Sequence, residues 1–459
     1  MPSFRIPRKL LVLTTAFLIS SLAFFLLAPR LPSSNELLDV VNRQSSHRIS
    51  FFPPRPDLCA GHDPRIEDGD FCAGFPKHLL DDIQIVVKTG IGERNKLEAL
   101  LDTFGSCIDN FLIMSDVADT VRGHRVHDVL AELPKSYAKD NPDWKAYDTQ
   151  RAAFQSGKTV DKSAEGWKLD RFKFLPMIEK AFQLRPHAKW YVFIETDTYH
   201  FWDTLFRVLG DMDSTKRHYM GTAVPAADNV WFAYGGAGFV LSAALVQDMN
   251  LGRTEEDKMS SKYSDLIKGD CCGDTSLAYS LYREFEVRVE NLHPTFSGDE
   301  PPWLEVDRPR RCVPLVALHR VQPEKMRELW RWERCRRESK HPLTYLDMLE
   351  YNLAPVIGSA GSVRTYWDNG ANSAQPQHNS SSEACFQACE ASDTCFQATF
   401  FENACQHATF ARPGVKVDHA MRSMWNLKNL EKLGWRPGLV NTRTCNTWWV
   451  GWPKPRISP

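Results

Sequence analysis

The sequence predicts an α/β fold built around a parallel sheet, and three observations lead to that class. A strand at residues 83–87, a helix at 93–104 and a second strand at 111–114 follow one another directly. A strand–helix–strand unit implies two parallel strands joined by a right-handed crossover. A further helix, at 167–184, leads into the apolar and aromatic run at 190–194, whose composition is typical of a buried strand.

Two acidic residues end that buried run. Glu195, Thr196 and Asp197 follow it directly. Carboxylates at the mouth of a buried strand are costly to remove from water unless something binds them. Hard oxygen ligands suit magnesium or manganese, and ligands of open α/β sheets collect just beyond the carboxyl ends of the strands. The string therefore predicts a divalent-cation site, with a solvated turn that caps the next helix as the alternative.

Length and composition describe a globular chain in an oxidising compartment. The chain has 459 residues, of which 43% are hydrophobic and 25% charged, which leaves room for more than one domain. The net charge of -1 gives no reason to expect a nucleic-acid partner. The cysteine count of 12, with several cysteines clustered, favours disulfides over free thiols.

The N-terminus predicts a single-pass membrane anchor. Residues 10–28 form an uncharged, predominantly apolar segment after three basic residues, long enough as a helix to cross a bilayer core. The basic residues favour a cytoplasmic tail at 1–9 and a lumenal remainder, with a cleaved signal peptide as the alternative. Residues 29–80 are rich in proline and polar residues and predict an extended stem. Near its end, Cys59 and Cys72 are expected to bond to each other or to tie the stem to the next domain.

The remaining elements continue the alternation of strands and helices. The region at 117–163 is polar and is expected to be an insertion or a loop. Buried strands are predicted at 219–224 and 313–318. Further helices are predicted at 201–209, 243–249, 275–284, 323–338 and 343–351.

A glycine-rich string follows the acidic strand. Gly235, Gly236 and Gly238 fall within four positions and expose bare backbone at one place, which permits a tight turn or the close approach of a ligand. Their spacing matches neither a phosphate-binding Walker A string nor a dinucleotide-binding string. A plain bend before the next helix is the alternative.

Two further residues occupy positions that suit a site. Asp274 stands at the start of a predicted helix, where simple capping is the alternative explanation. His319 ends the strand predicted at 313–318, where a lone histidine is more often structural than a ligand. Cys271 and Cys272 directly precede the helix and are expected to form disulfides with other partners rather than to bind metal.

Taken in order, these pieces resemble glycosyltransferase family 31. The shared pieces are a Val-Lys-Thr strand end, an acidic triplet, the string Gly-Gly-Ala-Gly-Phe-Val-Leu-Ser, an aspartate that opens a helix and a strand that ends in histidine. The resemblance covers residues 81–329 and looks most like the Fringe and core-1 β-1,3-galactosyltransferase-like branch, including its fungal members. It implies a GT-A fold, a Rossmann-like α/β/α sandwich that binds a UDP-sugar through manganese.

For the donor, the resemblance implies two groups of residues. On the nucleotide side, the end of the first strand contributes Val87, Lys88 and Thr89. The end of the second strand contributes Asp116, which would lie near the uridine. The sugar-side wall comprises the three glycines of the string: Gly235, Gly236 and Gly238.

For the metal and the chemistry, the resemblance implies four side chains. Glu195 and Asp197 match the family's acidic metal-binding motif, with Asp197 as the main direct ligand. His319 matches a second metal ligand, and Asp274 matches the general base.

Two positions depart from the family pattern. Thr196 replaces the middle acid of the triplet, although metal binding needs only the outer positions. Gly273 replaces the acid that usually precedes the base, which leaves the choice of acceptor open.

A second region, at 359–425, resembles a PAN/apple-type module. Cys385 and Cys389 fall on one face of a short predicted helix, followed by Cys395 and Cys405 in a predicted hairpin. Four cysteines allow three pairings, among which the sequence does not choose. A zinc site is disfavoured, because no histidine completes the ligand pattern. The predicted domains are the cytoplasmic tail 1–9, the anchor 10–28, the stem 29–80, the transferase domain 81–352, this disulfide-rich α+β module 359–425 and the tail 426–459.

The functional expectation is an inverting β-1,3-glycosyltransferase of the Golgi membrane, of type II, with its catalytic domain in the lumen. It would move a galactose- or N-acetylglucosamine-type sugar from a UDP-sugar to a glycan or glycoprotein acceptor, with manganese or another divalent cation. Inverting transfer is one in-line displacement and needs a carboxylate to take the acceptor's proton. The alternative is a non-catalytic glycan- or protein-binding surface protein with a degenerate transferase domain. A two-carboxylate hydrolase needs neither the glycine string nor the metal acids.

Overall fold

The centre of the fold is β1 (Ile83–Lys88), a strand whose residues are all buried. It pairs in parallel with β2 (Leu112–Ser115) on one side and with β5 (Trp190–Glu195) on the other. The helix α1 (Arg94–Asp102) connects β1 to β2. The predicted strand–helix–strand unit and the α/β class are therefore confirmed.

The computed structural model describes residues 51–52, 71–161, 163–336, 342–358, 361–373, 377–378, 381–436, 439–440, 445 and 456–457. These residues belong to one unit, Ile49–Pro459. The predicted anchor at 10–28 and most of the predicted stem lie outside them. Within the described residues, no helix combines the length and the apolar character that a membrane crossing requires.

β1 belongs to a mixed sheet of nine strands. Beyond β2, the strand β4 (His124–Asp128) runs parallel, and β3 (Asp119–Val121) closes that edge as an antiparallel strand. Beyond β5, β10 (Phe239–Ser242) and then β7 (Tyr219–Gly221) pair antiparallel. The last strands on that side are β11 (Glu290–Asn291) and β22 (Arg456–Ile457).

Helices cover both faces of the sheet, because successive residues of a strand point to opposite faces. Ile85 and Val87 contribute to one apolar core, and Val86 contributes to the other. The first core is packed by α1, α5 (Trp202–Gly210), α10 (Pro323–Cys335) and α11 (Tyr345–Ile357). The second core is packed by α4 (Phe174–Leu184), α6 (Ala243–Asn250) and α9 (Gly273–Phe285).

Two predicted elements differ from the structure. The region at 117–163 is not a loop: it supplies β3, β4 and the helix α2 (Trp144–Gln155), whose partly exposed residues hide the apolar periodicity. The helix predicted at 167–184 is interrupted, because residues 169–172 form a tighter turn between α3 (Ala164–Lys168) and α4.

Short elements complete this part of the chain. The predicted strand at 219–224 is divided between β7 and β8 (Ala223–Pro225), which pairs with β9 (Trp231–Ala233). The predicted strand at 313–318 is reduced to β12 (Ala317–Leu318), which pairs antiparallel with β6 (Tyr199–His200). Two short helices, α7 (Met259–Lys262) and α8 (Ser264–Gly269), precede α9.

The C-terminal region forms a separate sheet of five antiparallel strands. In spatial order these are β13 (Val363–Thr365), β19 (Arg422–Trp425), β16 (Gln397–Phe401), β17 (Ala404–Ala408) and β15 (Gln377–His378). The helix α12 (Ser382–Ala391) is tied to β17 by the disulfide Cys385–Cys405 and to the segment before β16 by the disulfide Cys389–Cys395. The remaining elements are β14 (Trp367–Asp368), β18 (Val415–Lys416), α13 (Leu427–Leu433), β20 (Trp435–Arg436) and β21 (Leu439–Val440).

Two further disulfides join distant parts of the chain. Cys72 bonds to Cys107, so of the two pairings expected for Cys72 the structure has the one that ties the stem to the domain. Cys312 bonds to Cys445 and joins the first α/β part to the C-terminal end. Phe52, also from the predicted stem, is buried against Phe75 and Trp330.

Candidate active site

The acidic turn after β5 lies at the carboxyl end of the central parallel strands. Glu195 is the last residue of β5, and the Thr198 amide donates a hydrogen bond of 3.1 Å to its carbonyl oxygen, which closes the turn. The Glu195 and Asp197 side chains are 26% and 12% exposed, whereas Thr196 is fully buried. The two acids therefore reach the solvent side of the sheet edge, and the threonine between them faces the interior.

His319 is far from these acids in the sequence, and strand pairing brings it beside them. Because β6 follows the acidic turn and pairs with β12, the residue after β12 comes to lie beside Asp197. His319 Nε2 is 3.5 Å from Asp197 Oδ1 and 4.0 Å from Glu195 Oε2. The Tyr234 hydroxyl shares a hydrogen bond of 3.0 Å with His319 Nδ1, which leaves Nε2 directed at the carboxylates.

These three side chains fit a divalent cation by the chemistry of their donors. One ligand atom each from Glu195, Asp197 and His319 lies within 4.8 Å of the others, and carboxylates with imidazole form a donor set that manganese accepts. Burial by itself would raise the pKa of Asp197. The hydrogen bonds and charges of His319 and Lys96 outweigh burial and hold that pKa well below its usual range. Asp197 is therefore ionised at neutral pH, as a metal ligand must be.

The glycine string forms a tight turn directly behind His319. Residues 235–237 make one helical turn, and Gly238 has a φ of +76°, which favours glycine. The Thr198 hydroxyl donates a hydrogen bond of 2.9 Å to the Gly236 carbonyl oxygen, which joins the string to the acidic turn. A Cβ added at Gly236 would lie 2.3 Å from His319 Cε1, so only glycine leaves room for the imidazole.

Asp274 lies in the first turn of α9 without capping that helix, since the N-cap residue is Cys272. Its Oδ2 accepts a hydrogen bond of 3.1 Å from the Gly235 amide, and its Oδ1 accepts one of 3.0 Å from the Thr275 amide. Burial disfavours the charged carboxylate and raises the pKa of Asp274 to about 6, although the Gly235 hydrogen bond and the charge of Lys88 oppose the shift. A carboxyl group with such a pKa is suited to act as a general base.

Charged residues at the ends of β1 and β2 lie beside Glu195 and Asp197. Lys88 Nζ lies 3.0 Å from Glu195 Oε1. Asp116 Oδ1 accepts a hydrogen bond of 2.8 Å from the Ile91 amide, and Asp116 Oδ2 lies 3.0 Å from Lys173 Nζ. Lys173 also donates to the Thr89 carbonyl oxygen at 2.8 Å. Asp116 is therefore held by the loop after β1 and by a lysine from outside the sheet.

One cleft of about 580 Å³ brings most of the predicted site residues together. Those that line it are Lys88, Thr89, Asp116, Glu195, Asp197, Gly236, Asp274 and His319. Val87 and Thr196 are fully buried behind its wall. Gly235 and Gly238 also lie outside the lining, where Gly235 supports Asp274 through its amide.

Basic and aromatic residues of the cleft do not follow from the sequence reasoning. Lys96 Nζ lies 2.8 Å from Asp197 Oδ2, and Trp167 lines the cleft with 58% of its surface exposed. Lys96 and Lys173 come from ordinary helical surroundings that carry no local sign of a site. Tyr234 directly precedes the glycine string, so its position was an available sign of its contact with His319.

The cysteine pair at the lip of the cleft requires a correction. Cys271 and Cys272 bond to each other and not to other partners. The physical reason is that the other described cysteines are all bonded elsewhere, and none is free among the residues described. Both cysteines line the cleft just before Gly273, where an added Cβ would lie 2.2 Å from Phe174 Cδ2. The start of α9 is thus packed closely against α4.

A mixed α/β sheet with this cleft at the carboxyl ends of its parallel strands defines an α/β protein with a candidate catalytic site. The family model described as Fringe-like matches residues 79–297. The match identifies a Fringe-like domain at these residues, and the resemblance to glycosyltransferase family 31 found in the sequence is confirmed over this range. A Fringe-like domain implies a glycosyltransferase, and most residues that line the cleft lie within the matched range.

Comparisons over whole chains add little to the family match. No curated protein is similar enough to count as a relative. Among solved structures, a mannose-1-phosphate geranyltransferase from Thermus thermophilus is similar over 45% of this chain and 72% of that chain, with 13% identity and a TM-score of 0.20. A likeness with so low a score carries no argument about fold or function.

Proposed function

We propose that the protein is an inverting β-1,3-glycosyltransferase that transfers a sugar from a UDP-sugar to a glycan or glycoprotein acceptor. The observation that carries this proposal is the meeting of Glu195, Asp197, His319 and Asp274 in one cleft at the end of the central sheet. Three of these residues suit a metal, and the fourth suits a base. Such a division of roles is what a one-step sugar transfer from a nucleotide requires.

We also infer a GT-A fold for the Fringe-like domain. Parallel strands β2, β1 and β5 with helices on both faces support it. The position of the acids supports it as well, because ligands of such sheets bind beyond the carboxyl ends of the strands.

For the donor, we assign the nucleotide to the β1–β2 side of the cleft. A second cavity of about 240 Å³ adjoins the cleft there and shares Thr89, Gly90 and Ile91 with it. Its walls include the apolar side chains of Leu97 and Val117, against which a flat base can pack. The diphosphate would then lie nearer Lys88 and the acidic turn, where positive charge is available.

For the metal, Glu195, Asp197 and His319 would hold manganese or another divalent cation. When bound, such an ion supplies positive charge against the negative charge that develops on the departing diphosphate. Independently of the ion, Lys88 keeps Glu195 Oε1 at 3.0 Å, and Tyr234 fixes the His319 ring. These contacts orient the ligands before the donor binds.

For the chemistry, Asp274 would act as the general base. Its carboxylate takes the proton of the acceptor hydroxyl while the acceptor oxygen bonds to the anomeric carbon of the donor sugar. The bond between that carbon and the diphosphate oxygen breaks in the same step, and UDP leaves with the electron pair. The acceptor attacks from the side opposite to the leaving group, so the configuration is inverted.

The proposed cell compartment and membrane topology rest on the sequence and on the disulfides. A Golgi lumen with a type II anchor at 10–28 is consistent with the disulfides of the described residues. A PAN/apple-like identity of the C-terminal module is supported by a helix that one disulfide ties to a strand of the sheet and a second ties to the segment before the sheet's central strand.

The Asp274→Asn variant of the purified full-length chain tests the proposed base. With manganese, we expect the native chain to turn over at least one UDP-sugar from a panel, with water or a glycan as acceptor. The variant should bind UDP as the native chain does and lose turnover by about 100-fold or more, because Asn cannot take a proton. Asp265→Asn, at an exposed acid of α8, serves as the matched control.

Each part of the proposal has its own contrary result. Full turnover in Asp274→Asn would remove Asp274 as the base. Absence of UDP binding with every metal tested would remove the enzyme proposal and leave the non-catalytic, glycan- or protein-binding alternative.

A further inference from the structure

Two lysines form ion pairs with the candidate metal-binding carboxylates of Glu195 and Asp197. Lys88 Nζ lies 3.0 Å from Glu195 Oε1, and Lys96 Nζ lies 2.8 Å from Asp197 Oδ2. The other oxygens, Glu195 Oε2 and Asp197 Oδ1, lie 4.0 and 3.5 Å from His319 Nε2. Each carboxylate therefore has one oxygen on an ammonium group and one oxygen turned towards the imidazole.

The two lysines differ in how they are held. Lys88 belongs to the central strand, has a side chain only 6% exposed, contacts Asp170 as well, and lies 4.7 Å from the centre of the Phe174 ring. Lys96 belongs to α1, at the edge of the cleft, with 15% of its side chain exposed. Glu93, one helical turn earlier, lies 3.0 Å from the Lys96 ammonium. Lys96 can therefore turn away from Asp197 and keep a carboxylate partner.

These contacts place a positive charge against each candidate metal-binding carboxylate before any ligand binds. Glu195 lies against the ammonium group of Lys88 and Asp197 against that of Lys96, and Asp170 and Glu93 share these two ammonium groups. An ammonium group beside a divalent cation repels it, and the repulsion is strong where side chains exclude water. A nucleoside diphosphate brings negative charge and offsets that repulsion.

We propose that Lys96 is an internal counter-ion of Asp197 that keeps the affinity for a divalent cation low until a nucleoside diphosphate binds. Cation and nucleotide then bind synergistically, and each raises the affinity of the other by the same factor. When the cation binds, Lys96 turns to Glu93 and to the diphosphate. This inference rests on the proposed metal site and adds to it the residue that couples the two ligands.

Titration of manganese, with the electron paramagnetic resonance of free Mn²⁺ as the readout, tests the inference on the purified full-length chain. Each titration is made with and without UDP. We expect UDP to tighten Mn²⁺ binding at least tenfold in the native chain. Lys96→Met should bind Mn²⁺ alone at least tenfold more tightly than the native chain, and UDP should add less. Lys96→Arg keeps the charge and should behave as the native chain does.

The control variant is Lys189→Met, because Lys189 is an exposed lysine paired with Asp82 at 2.7 Å. Equal Mn²⁺ affinity of the native chain and Lys96→Met, with binding in both, would overturn the role of Lys96 and leave the metal site standing. Absence of Mn²⁺ binding in every variant, with and without UDP, would overturn the metal site itself. The comparison with and without UDP uses only the native chain, so it does not depend on whether a variant folds. Equal Mn²⁺ affinity of the native chain with and without UDP would overturn the inference.

Discussion

The pKa values of two carboxyl groups in the same cleft are shifted in opposite directions. Asp274 is buried, and burial raises its pKa to about 6. Asp197 is buried too, but His319 and Lys96 hold its pKa well below the usual range. Neighbouring acids whose pKa values are driven apart in this way suit different tasks. Asp197 therefore stays ionised near neutral pH, as the proposed metal ligand must, whereas Asp274 can exchange a proton near neutrality.

The pKa of Asp274 predicts how the rate depends on pH. Below about pH 6 the carboxyl group is protonated and cannot accept a proton. We expect kcat/KM for UDP-sugar turnover, measured at saturating manganese, to fall about tenfold per pH unit below that value. A rate that stays constant down to pH 4.5 would contradict Asp274 as the base.

A stability measurement checks the same pKa without catalysis. The folded-state pKa, about 6, lies above the ordinary aspartate value of 3.8, so between these values the folded state binds more protons than the unfolded state. The contribution of Asp274 to stability is present below that window and is lost as pH rises through it. The Asp274→Asn variant has no carboxyl group at this position. From pH 4 to pH 7, the free energy of unfolding of the native chain should therefore fall by on the order of 3 kcal/mol relative to that of the variant. Parallel melting temperatures across that range would contradict the raised pKa.

At the scale of elements, the cleft depends on close packing between the glycine string and the residue after β12. Gly236→Ala would place a Cβ 2.3 Å from the His319 ring. The ring must then move away from Asp197, so we expect Mn²⁺ affinity in the presence of UDP to fall about 10- to 100-fold. Isothermal titration calorimetry measures this change.

Gly210→Ala is the matched control for that substitution, because a Cβ at Gly210 meets no atom within 4 Å. It should leave Mn²⁺ affinity unchanged. Native affinity in Gly236→Ala would show that His319 is not required at its present position.

Local sequence was enough for elements that carry their own pattern. The buried run of β1, the spacing of α1 and the apolar run of β5 were all predicted close to their observed bounds. β12 was predicted too long, and the region at 117–163 was predicted as an insertion or a loop. For β12, pairing with the distant strand β6 decides which residues form a strand, whereas at 117–163 a short hairpin and a partly exposed helix carry little apolar periodicity.

The site follows the same division. Glu195, Asp197 and Asp274 could be chosen from the sequence because their position at the end of a strand or the start of a helix is local. The contact of Lys96 with Asp197 could not be predicted, because only the folded chain brings α1 to the acidic turn. The pairing of Cys271 with Cys272 was likewise missed, because spacing alone does not determine disulfide partners.

At the scale of the whole molecule, the end of the chain returns to its first part. β22 pairs with β11 in the large sheet, and Cys445 is bonded to Cys312 across a sequence separation of 133 residues. Arg412 of the C-terminal region also pairs with Glu305. These contacts join the α/β part of the chain to the C-terminal sheet region and to the segment that follows it.

Loss of the long-range disulfide is therefore expected to cost more stability than loss of a local one. Cys389–Cys395 closes a separation of only 6 residues, against 133 for Cys312–Cys445. The entropy of the unfolded chain predicts that the double variant Cys312→Ser, Cys445→Ser loses about 3 kcal/mol more than Cys389→Ser, Cys395→Ser. Denaturant unfolding of both variants measures the difference. Equal losses would mean that the long-range bond does not constrain the unfolded chain.

The proposed donor and metal site is tested most directly by a titration of the purified full-length chain with UDP, with and without manganese, beside the Asp197→Ala variant. We expect manganese to strengthen UDP binding in the native chain, and we expect the variant to lose that manganese dependence. Equal UDP binding by the native chain with and without manganese, or full manganese dependence in Asp197→Ala, would contradict the proposed site.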